Sequence, residues 1–420
     1  SSEPMGGRPC TQPRRWMRWV PRLLALQIQV APTMVATAGA ASATASSTPT
    51  ACDAEAREQG GQGAQHSGAD TDTASDERNI DRCVAKLVAS ETWAEAETDK
   101  TLAPGVAFVQ LAPWETGFPA WSRDEEHQEK DADRDRGHAD WVVPEGADDA
   151  SPRILYLHGG GYEWYSPQDF YRPVTSRLAA VSGMPVLAID YRLAPEFRHP
   201  AQLEDAVQGL RWISEHGPKG PGKASHVFIA GDSAGGGLAL ALAVRARDDG
   251  LQVAGVTVVS PETDLSCQGE SYTTRRWNNG NGEHCDPVFR DEDPAAGSMA
   301  GIYQVLGPPG EPGSFELTEP SISPLHAKLH GLPPTQIHVG DCEVMLSDAV
   351  SFGERARAAG SSVGVTVWPR MWHVFTQYTE GCGGEDAAPL KPALEALAQQ
   401  GDFLKRLAAD GAASALSGAM

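Results

Sequence analysis

Along the chain, short uninterrupted apolar runs alternate with longer stretches of helical periodicity. The apolar runs fall at 105–112 (GVAFVQLA), 141–143, 153–157 (RILYL), 185–189 (PVLAI), 226–230 (HVFIA), 253–260 (VAGVTVVS), 335–339 (TQIHV) and 363–368 (VGVTVW). Helical stretches lie at 172–182, 200–216, 234–247, 345–359 and 389–408. Strands that alternate with helices predict a mostly parallel sheet covered on both faces. Apolar runs without polar alternation suit strands buried on both sides. The expected class is therefore α/β, with an eight-stranded sheet.

Three segments break this rhythm. Residues 1–50 hold five arginines, no lysine and one acid, Glu3, and no charge occurs between Leu23 and Cys52. This Arg-rich, acid-poor, Ser/Ala-rich composition fits organelle or secretory targeting, or else a disordered tail. Gln27, Gln29 and Pro32 interrupt its apolar part, which argues against a membrane span. Residues 51–79 are polar and Gly-rich, so folded structure is expected from about Asn79, with 1–78 as leader and 79–420 as one domain. The stretch 123–140 carries eight acids and four bases and reads as a solvated loop between two early strands. The stretch 267–330 is irregular and rich in Gly, Pro, Asn and Trp, and insertions of that length in a compact domain are usually functional, as lids are.

Composition narrows the functional class. With 34 basic and 56 acidic side chains the net charge is −22, the wrong sign for a general nucleic-acid binder or for a surface attracted to anionic lipid. Membrane association is expected only through the leader. The seven cysteines, at 10, 52, 83, 267, 285, 342 and 382, form no CxxC pair, which argues against a zinc ribbon or a thioredoxin site. An odd count leaves at least one thiol free in a monomer.

The sharpest chemical signal is Gly231-Asp232-Ser233-Ala234-Gly235, directly after HVFIA and before a helical stretch. This is G-x-S-x-G in the strand–turn–helix setting that exposes a nucleophilic serine. A second signal lies 75 residues upstream. His158-Gly159-Gly160-Gly161 ends the strand RILYL, and consecutive glycines let main-chain N–H groups converge on one point, as oxyanion stabilisation requires. The N–H of Ala234 would join Gly159 and Gly160 there, and His158 would hold the loop. A third signal is His373, after the last strand. It is the only histidine beyond His338, and the chain order nucleophile, acid, histidine is that of α/β-hydrolases. For the acid, the segment after TQIHV offers Asp341, Glu343 and Asp348. Glu343, which opens the next helix, is favoured by position. Asp348 already sits in that helix and suits a solvated or capping role.

Together HGGGY (158–162), DYRLAPE (190–196), HPAQLEDA (199–206), GDSAGGG (231–237), SPETDLS (260–266) and the final WHVF resemble the hormone-sensitive-lipase-like esterases of the α/β-hydrolase superfamily. The resemblance covers roughly 80–408. It implies Ser233 as nucleophile, His373 as general base, and Gly159, Gly160 and Ala234 as oxyanion donors. Many members carry the acid as the Asp of D-P-L-x-D, whereas this chain reads E-V-M-L-S-D, like a branch with Glu in that place. The resemblance also implies a helical cap from about 79–104 and 267–330, no metal or organic cofactor, and a small-molecule ester with a short or medium acyl chain, acetylated lipids or sterols included. Tyr191, Arg192, Glu196, Glu204 and Asp205 read as a scaffold network, since buried polar groups need partners. Asp232 reads as an anchor for the elbow, and Trp164, Tyr165, Trp277 and Trp372 as pocket lining or ordinary core. An amidase or peptidase would use the same triad. A small-molecule receptor on this fold keeps the serine and loses the histidine, which is present here.

Overall fold

Alternate residues of each central strand face opposite layers, and that period of two builds the core of this computed structural model, which describes residues 69–89, 100–111, 139–277, 285–289, 302, 304–383 and 388–417. The leader as far as Gly68 and the charged stretch as far as His138 lie outside the described residues. The strands are β1 (Val106–Leu111), β2 (Ala139–Pro144), β3 (Arg153–Leu157), β4 (Val186–Ile189), β5 (Val227–Asp232), β6 (Gly255–Val259), β7 (Thr335–Gly340) and β8 (Val363–Trp368). They form one sheet in the order β1-β2-β4-β3-β5-β6-β7-β8. Only β2 runs against its neighbours, and β3 to β8 pair in parallel.

Every residue of β3, β4, β5 and β6 is buried. On one face Leu155, Leu157, Leu187, Ile189 and Ile229 pack with α3 (Ala201–Glu215), α4 (Ser233–Asp249) and α5 (Leu346–Ala358). On the other, Ile154, Tyr156, Val186, Ala188, Phe228 and Ala230 pack with α2 (Arg172–Ser182) and α6 (Lys391–Ser417). Both faces are covered, so polar alternation never appears in these strands.

β2 starts two residues before the expected run, which corrects the view of 123–140 as a solvated loop to its end. Asp140 is buried, and its Oδ2 lies 2.8 Å from Nε of Arg172. A carboxylate in a strand can be buried here because α2 supplies the cation.

Helix α1 (Ala69–Ala89) begins earlier than Asn79, yet Asn79 and Ile80 are the first buried side chains described in it. Ile80, Cys83 and Leu87 recur at helical spacing and pack with Trp372, Phe375, Tyr378, Ala393 and Ala396. A disulfide joins Cys83 to Cys382, 299 residues away, and a second joins Cys285 to Cys342. Cys267 keeps a free thiol. Of the expected cap segment 79–104, the helical part therefore backs the loop that follows β8, and residues 90–99 lie outside the described residues. Among the described residues no helix is long and apolar enough to cross a membrane.

Because the Cys83–Cys382 bond closes a long loop, the paired change of Cys83 and Cys382 to Ser should cost about 2–4 kcal/mol by restoring freedom to the unfolded chain. Calorimetry should show Tm lower by several degrees, and an unchanged Tm would mean that this bridge does not stabilise the native state.

Candidate active site

Three strand ends bring the chemistry together. β5 runs into α4 with no intervening residue, and Ser233 at the junction has φ of 53°. That left-handed conformation is costly for a residue with a Cβ and persists only where the surroundings enforce it. They do so through steric contact. A Cβ at Gly231 would lie 2.5 Å from the carbonyl oxygen of Gly235 and 2.7 Å from that of Leu157, and one at Gly235 would collide with the carbonyl oxygens of Leu157 and His158. Both glycines of the motif are required by this close approach of α4 to β3.

Asp232 anchors the turn. Its buried carboxylate accepts hydrogen bonds from the hydroxyls of Tyr156 (2.7 Å) and Tyr171 (2.9 Å) and from the Gln377 amide (3.0 Å). Burial still pushes its pKa up to about 6 against those bonds. His158, also buried, stacks on Tyr191 with ring centroids 4.3 Å apart, and its Nδ1–H donates to the Gly159 carbonyl. Desolvation holds this imidazole down at about 4, so it is neutral and structural at pH 7. Arg192 pairs with Asp205 at 2.7 Å and Glu204 at 3.2 Å, which makes the DYRLAPE and HPAQLEDA segments one polar scaffold.

The glycine loop lies directly against the elbow: a Cβ at Gly159 would sit 2.8 Å from Oδ2 of Asp232. Gly160 and Gly161 follow at φ of 113° and 62°, conformations open to glycine. Ala234, fully buried, occupies the first turn of α4, where backbone N–H groups have no partner within the helix.

His373 and Glu343 come from the loops after β8 and β7. Nε2 of His373 is 2.9 Å from Oγ of Ser233, with the serine hydroxyl as donor when the imidazole is neutral. Nδ1 lies 3.5 Å from Oε2 of Glu343, within ion-pair reach but longer than a hydrogen bond. The buried Glu343 carboxylate is held by Ser260, whose hydroxyl donates to Oε2 at 2.8 Å while its Oγ accepts from the Val374 N–H at 3.1 Å. Burial pushes the Glu343 carboxyl well above the ordinary carboxylate range, opposed by that hydroxyl and by the Gly340 and Val374 amides.

The competing acids lie elsewhere. Oδ1 of Asp341 accepts from the Arg370 N–H at 2.6 Å and shapes the turn after β8. Asp348 sits in α5 as expected but is buried, not solvated. Its Oδ2 accepts from the N–H groups of Thr263 (2.7 Å) and Asp264 (2.9 Å). A buried carboxylate satisfied by two amides braces the chain after β6 against α5.

Sequence reasoning missed two parts of this site. Ser260 directly follows β6 as the first residue of the SPETDLS motif, a polar residue just past a buried strand, and that position was its only signal. Asp286 had none, whereas Phe289 is one of the apolar residues of the stretch 267–330, which reads as a lid. They belong to the irregular segment after β6, and Phe289 packs edge-on to His373 with ring centroids 5.1 Å apart. Of the four aromatics weighed for the pocket, Trp372 is core, whereas Trp164 is 58% exposed. Residues 278–284, 290–301 and 303 of the segment lie outside the described residues.

A family model described as the alpha/beta hydrolase fold matches residues 154–377. Over 245 residues the chain is 39% identical to an acetyl-hydrolase of Streptomyces hygroscopicus, a match covering 58% of this chain and 74% of that protein. Two solved structures are similar throughout the hydrolase region. One is EstE5 soaked with p-nitrophenyl butyrate (28% identity, TM-score 0.61, 79% of this chain and 99% of that one). The other is an esterase of the bacterial hormone-sensitive lipase family (29% identity, TM-score 0.59, 79% and 98%).

Desolvation lowers the His373 pKa below its ordinary 6.5, against the charges of Asp286 and Asp232, which raise it. The imidazole should therefore be neutral at pH 7 and should protonate only as the pH falls below 6.5. Titration of the ring nitrogens by NMR reads this directly, and a midpoint above 6.5 would mean that the neighbouring carboxylates outweigh burial.

Proposed function

The chain belongs to the α/β-hydrolase fold family and, like its solved relatives of the hormone-sensitive lipase type, is a carboxylic ester hydrolase; we infer that it works through an acyl-enzyme on Ser233. The observation that carries this reading is the 2.9 Å approach of His373 Nε2 to the Ser233 hydroxyl at a strained strand-to-helix turn. As Ser233 Oγ adds to the ester carbonyl carbon, its proton passes to Nε2 of His373. The carbonyl oxygen becomes an oxyanion, and the N–H groups of Ala234 and of the glycine loop that starts at Gly159 and Gly160 stabilise it where charge develops. The alcohol C–O bond then breaks, and Nε2 returns the proton to the departing alkoxide. Water adds to the acyl-enzyme, gives its proton to His373, and the acid leaves as Ser233 regains its hydrogen. Glu343 keeps Nδ1 protonated and balances the imidazolium charge.

An acetyl or other short acyl group suits this site. That choice is supported by the named activity of the Streptomyces relative and by Phe289 against His373, which narrows the space beside the base. The described part of the segment after β6 lies over the base, so its apolar residues are expected to tune chain length. Trp277, partly buried and tied through its N–H to the Phe289 carbonyl at 3.2 Å, is the residue to change.

Ser233→Ala should abolish turnover of p-nitrophenyl acetate and covalent labelling by a fluorophosphonate. Labelling that persists on another serine would remove the assignment. Glu343→Gln should lower kcat by about 10⁴, the usual effect of leaving the imidazole in the wrong tautomer, while Asp341→Asn stays within a few-fold. A crippled Asp341→Asn would transfer the role to that residue. Trp277→Ala should change the ratio of butyrate to acetate turnover with little effect on labelling, and an unchanged ratio would place the segment outside the acyl pocket.

A further inference from the structure

We propose that Asp286, on the segment after β6, is a positioning residue for the reaction: a second carboxylate that shares with Glu343 the task of holding the His373 side of the site and stabilising its protonated form. The proposal rests on the serine-hydrolase reading above and extends it to a residue outside the triad.

Glu343 alone leaves the acid side incomplete. Neither Nδ1 of His373 nor Oε1 of Glu343 has a hydrogen-bond partner among the described residues, although both side chains are buried. A buried polar atom without a partner is costly, so some other interaction must bias this region. Asp286 is the remaining carboxylate at hand. It is fully buried, and its two oxygens are anchored differently. Oδ1 accepts from the Val288 N–H at 3.1 Å within its own segment, and Oδ2 accepts from the Val344 N–H at 3.2 Å. Val344 directly follows Glu343, so Asp286 holds the very loop that delivers the acid.

Two further links keep the segment there. Cys285, beside Asp286, is disulfide-bonded to Cys342, beside Glu343. Phe289, three residues on, packs its edge against the His373 ring. Burial pushes the Asp286 carboxyl up to about 7, with Glu343 adding to that rise and the nearby His373 opposing it. Three acids act on the imidazole from three elements: Glu343 after β7, with Oε2 3.5 Å from Nδ1, and, through their charge when ionised, Asp286 after β6 and Asp232 at the end of β5. The helices behind the loop, α1 and α6, present Ile80, Leu87, Ala393 and Ala396 to it. In such a low-dielectric setting a carboxylate that ionises as the imidazolium forms is a stronger counter-charge for it than it would be in water.

The test uses the full, oxidised chain and compares the wild type with Asp286→Asn, its rescue variant Asp286→Glu, Cys285→Ser, which opens the Cys285–Cys342 bridge, and Ser233→Ala. Asp286→Asn removes the charge with little change of volume. Its kcat for p-nitrophenyl acetate should fall by about tenfold, well short of the ~10⁴ that removal of the triad acid brings, with KM nearly unchanged. The acid limb of kcat/KM should move to lower pH by about one unit, since a lost neighbouring anion makes the imidazole harder to protonate. Cys285→Ser keeps the carboxylate but frees its segment, and it should move the limb in the same direction. It also provides the readout if Asp286→Asn does not fold. Asp286→Glu should restore the limb. A purely structural role would lower Tm or the titre of labelled serine and leave the limb in place, and that result overturns the proposal. If Ser233→Ala retains turnover, the serine reading falls and this proposal with it. If Ser233→Ala is inactive and the limb stays put in both Asp286→Asn and Cys285→Ser, only the role of Asp286 falls.

Discussion

The contact on which the site depends is the close approach of the backbone at the end of β5 to the carbonyls of β3. Gly231 and Gly235 permit α4 to start within hard-sphere distance of Leu157 and His158, and this forces Ser233 into left-handed geometry. The same approach lays Asp232 across the beginning of the glycine loop, where Tyr156, Tyr171 and Gln377 all donate to one carboxylate. A single anchored side chain thus fixes the turn at Ser233, the glycine loop and the turn after His373 relative to one another. Preorganisation of this kind lowers a barrier because the dipoles need not reorganise as charge develops.

Burial sets the electrostatics. Desolvation drives His373 toward its neutral form and drives Asp232, Asp286 and Glu343 toward protonation. Each carboxylate is held back by hydroxyl or amide donors, and none of the three is paired with Lys or Arg among the described residues. The two disulfides hold the peripheral pieces against this centre. Cys83–Cys382 fastens α1 behind the histidine loop, and Cys285–Cys342 fastens the segment after β6 to the acid loop.

Local signals were strong where a feature depends on neighbours in sequence. Uninterrupted apolar runs marked the central strands β3 to β6 because a parallel sheet covered on both faces has no solvent side to alternate with. The nucleophile was legible because its turn needs glycine at two fixed offsets, and His373 because chain order left one candidate after the last strand. The acid was harder. Asp341, Glu343 and Asp348 occupy one short stretch, and only the fold directs Glu343 toward His373, Asp341 toward the Arg370 amide and Asp348 toward the amides of Thr263 and Asp264. Asp140 misled for the converse reason: a run of charges continued into a buried strand, where Arg172 from another element supplied its partner.

By itself the sequence determined the α/β class, the strand set, the elbow, the glycine loop and the histidine, since each is written in periodicity or in glycine spacing that sterics dictates. The tertiary structure decided what depends on residues brought together over long separations. It brought Glu343, alone of the three acids, beside His373 with Ser260 behind it, and paired cysteines 299 and 57 positions apart. It also set Asp286 and Phe289, from a segment without periodicity, against the base. A one-dimensional pattern records which side of a helix or strand is apolar. Which loop meets which is settled only when the sheet has formed and its carboxyl ends converge.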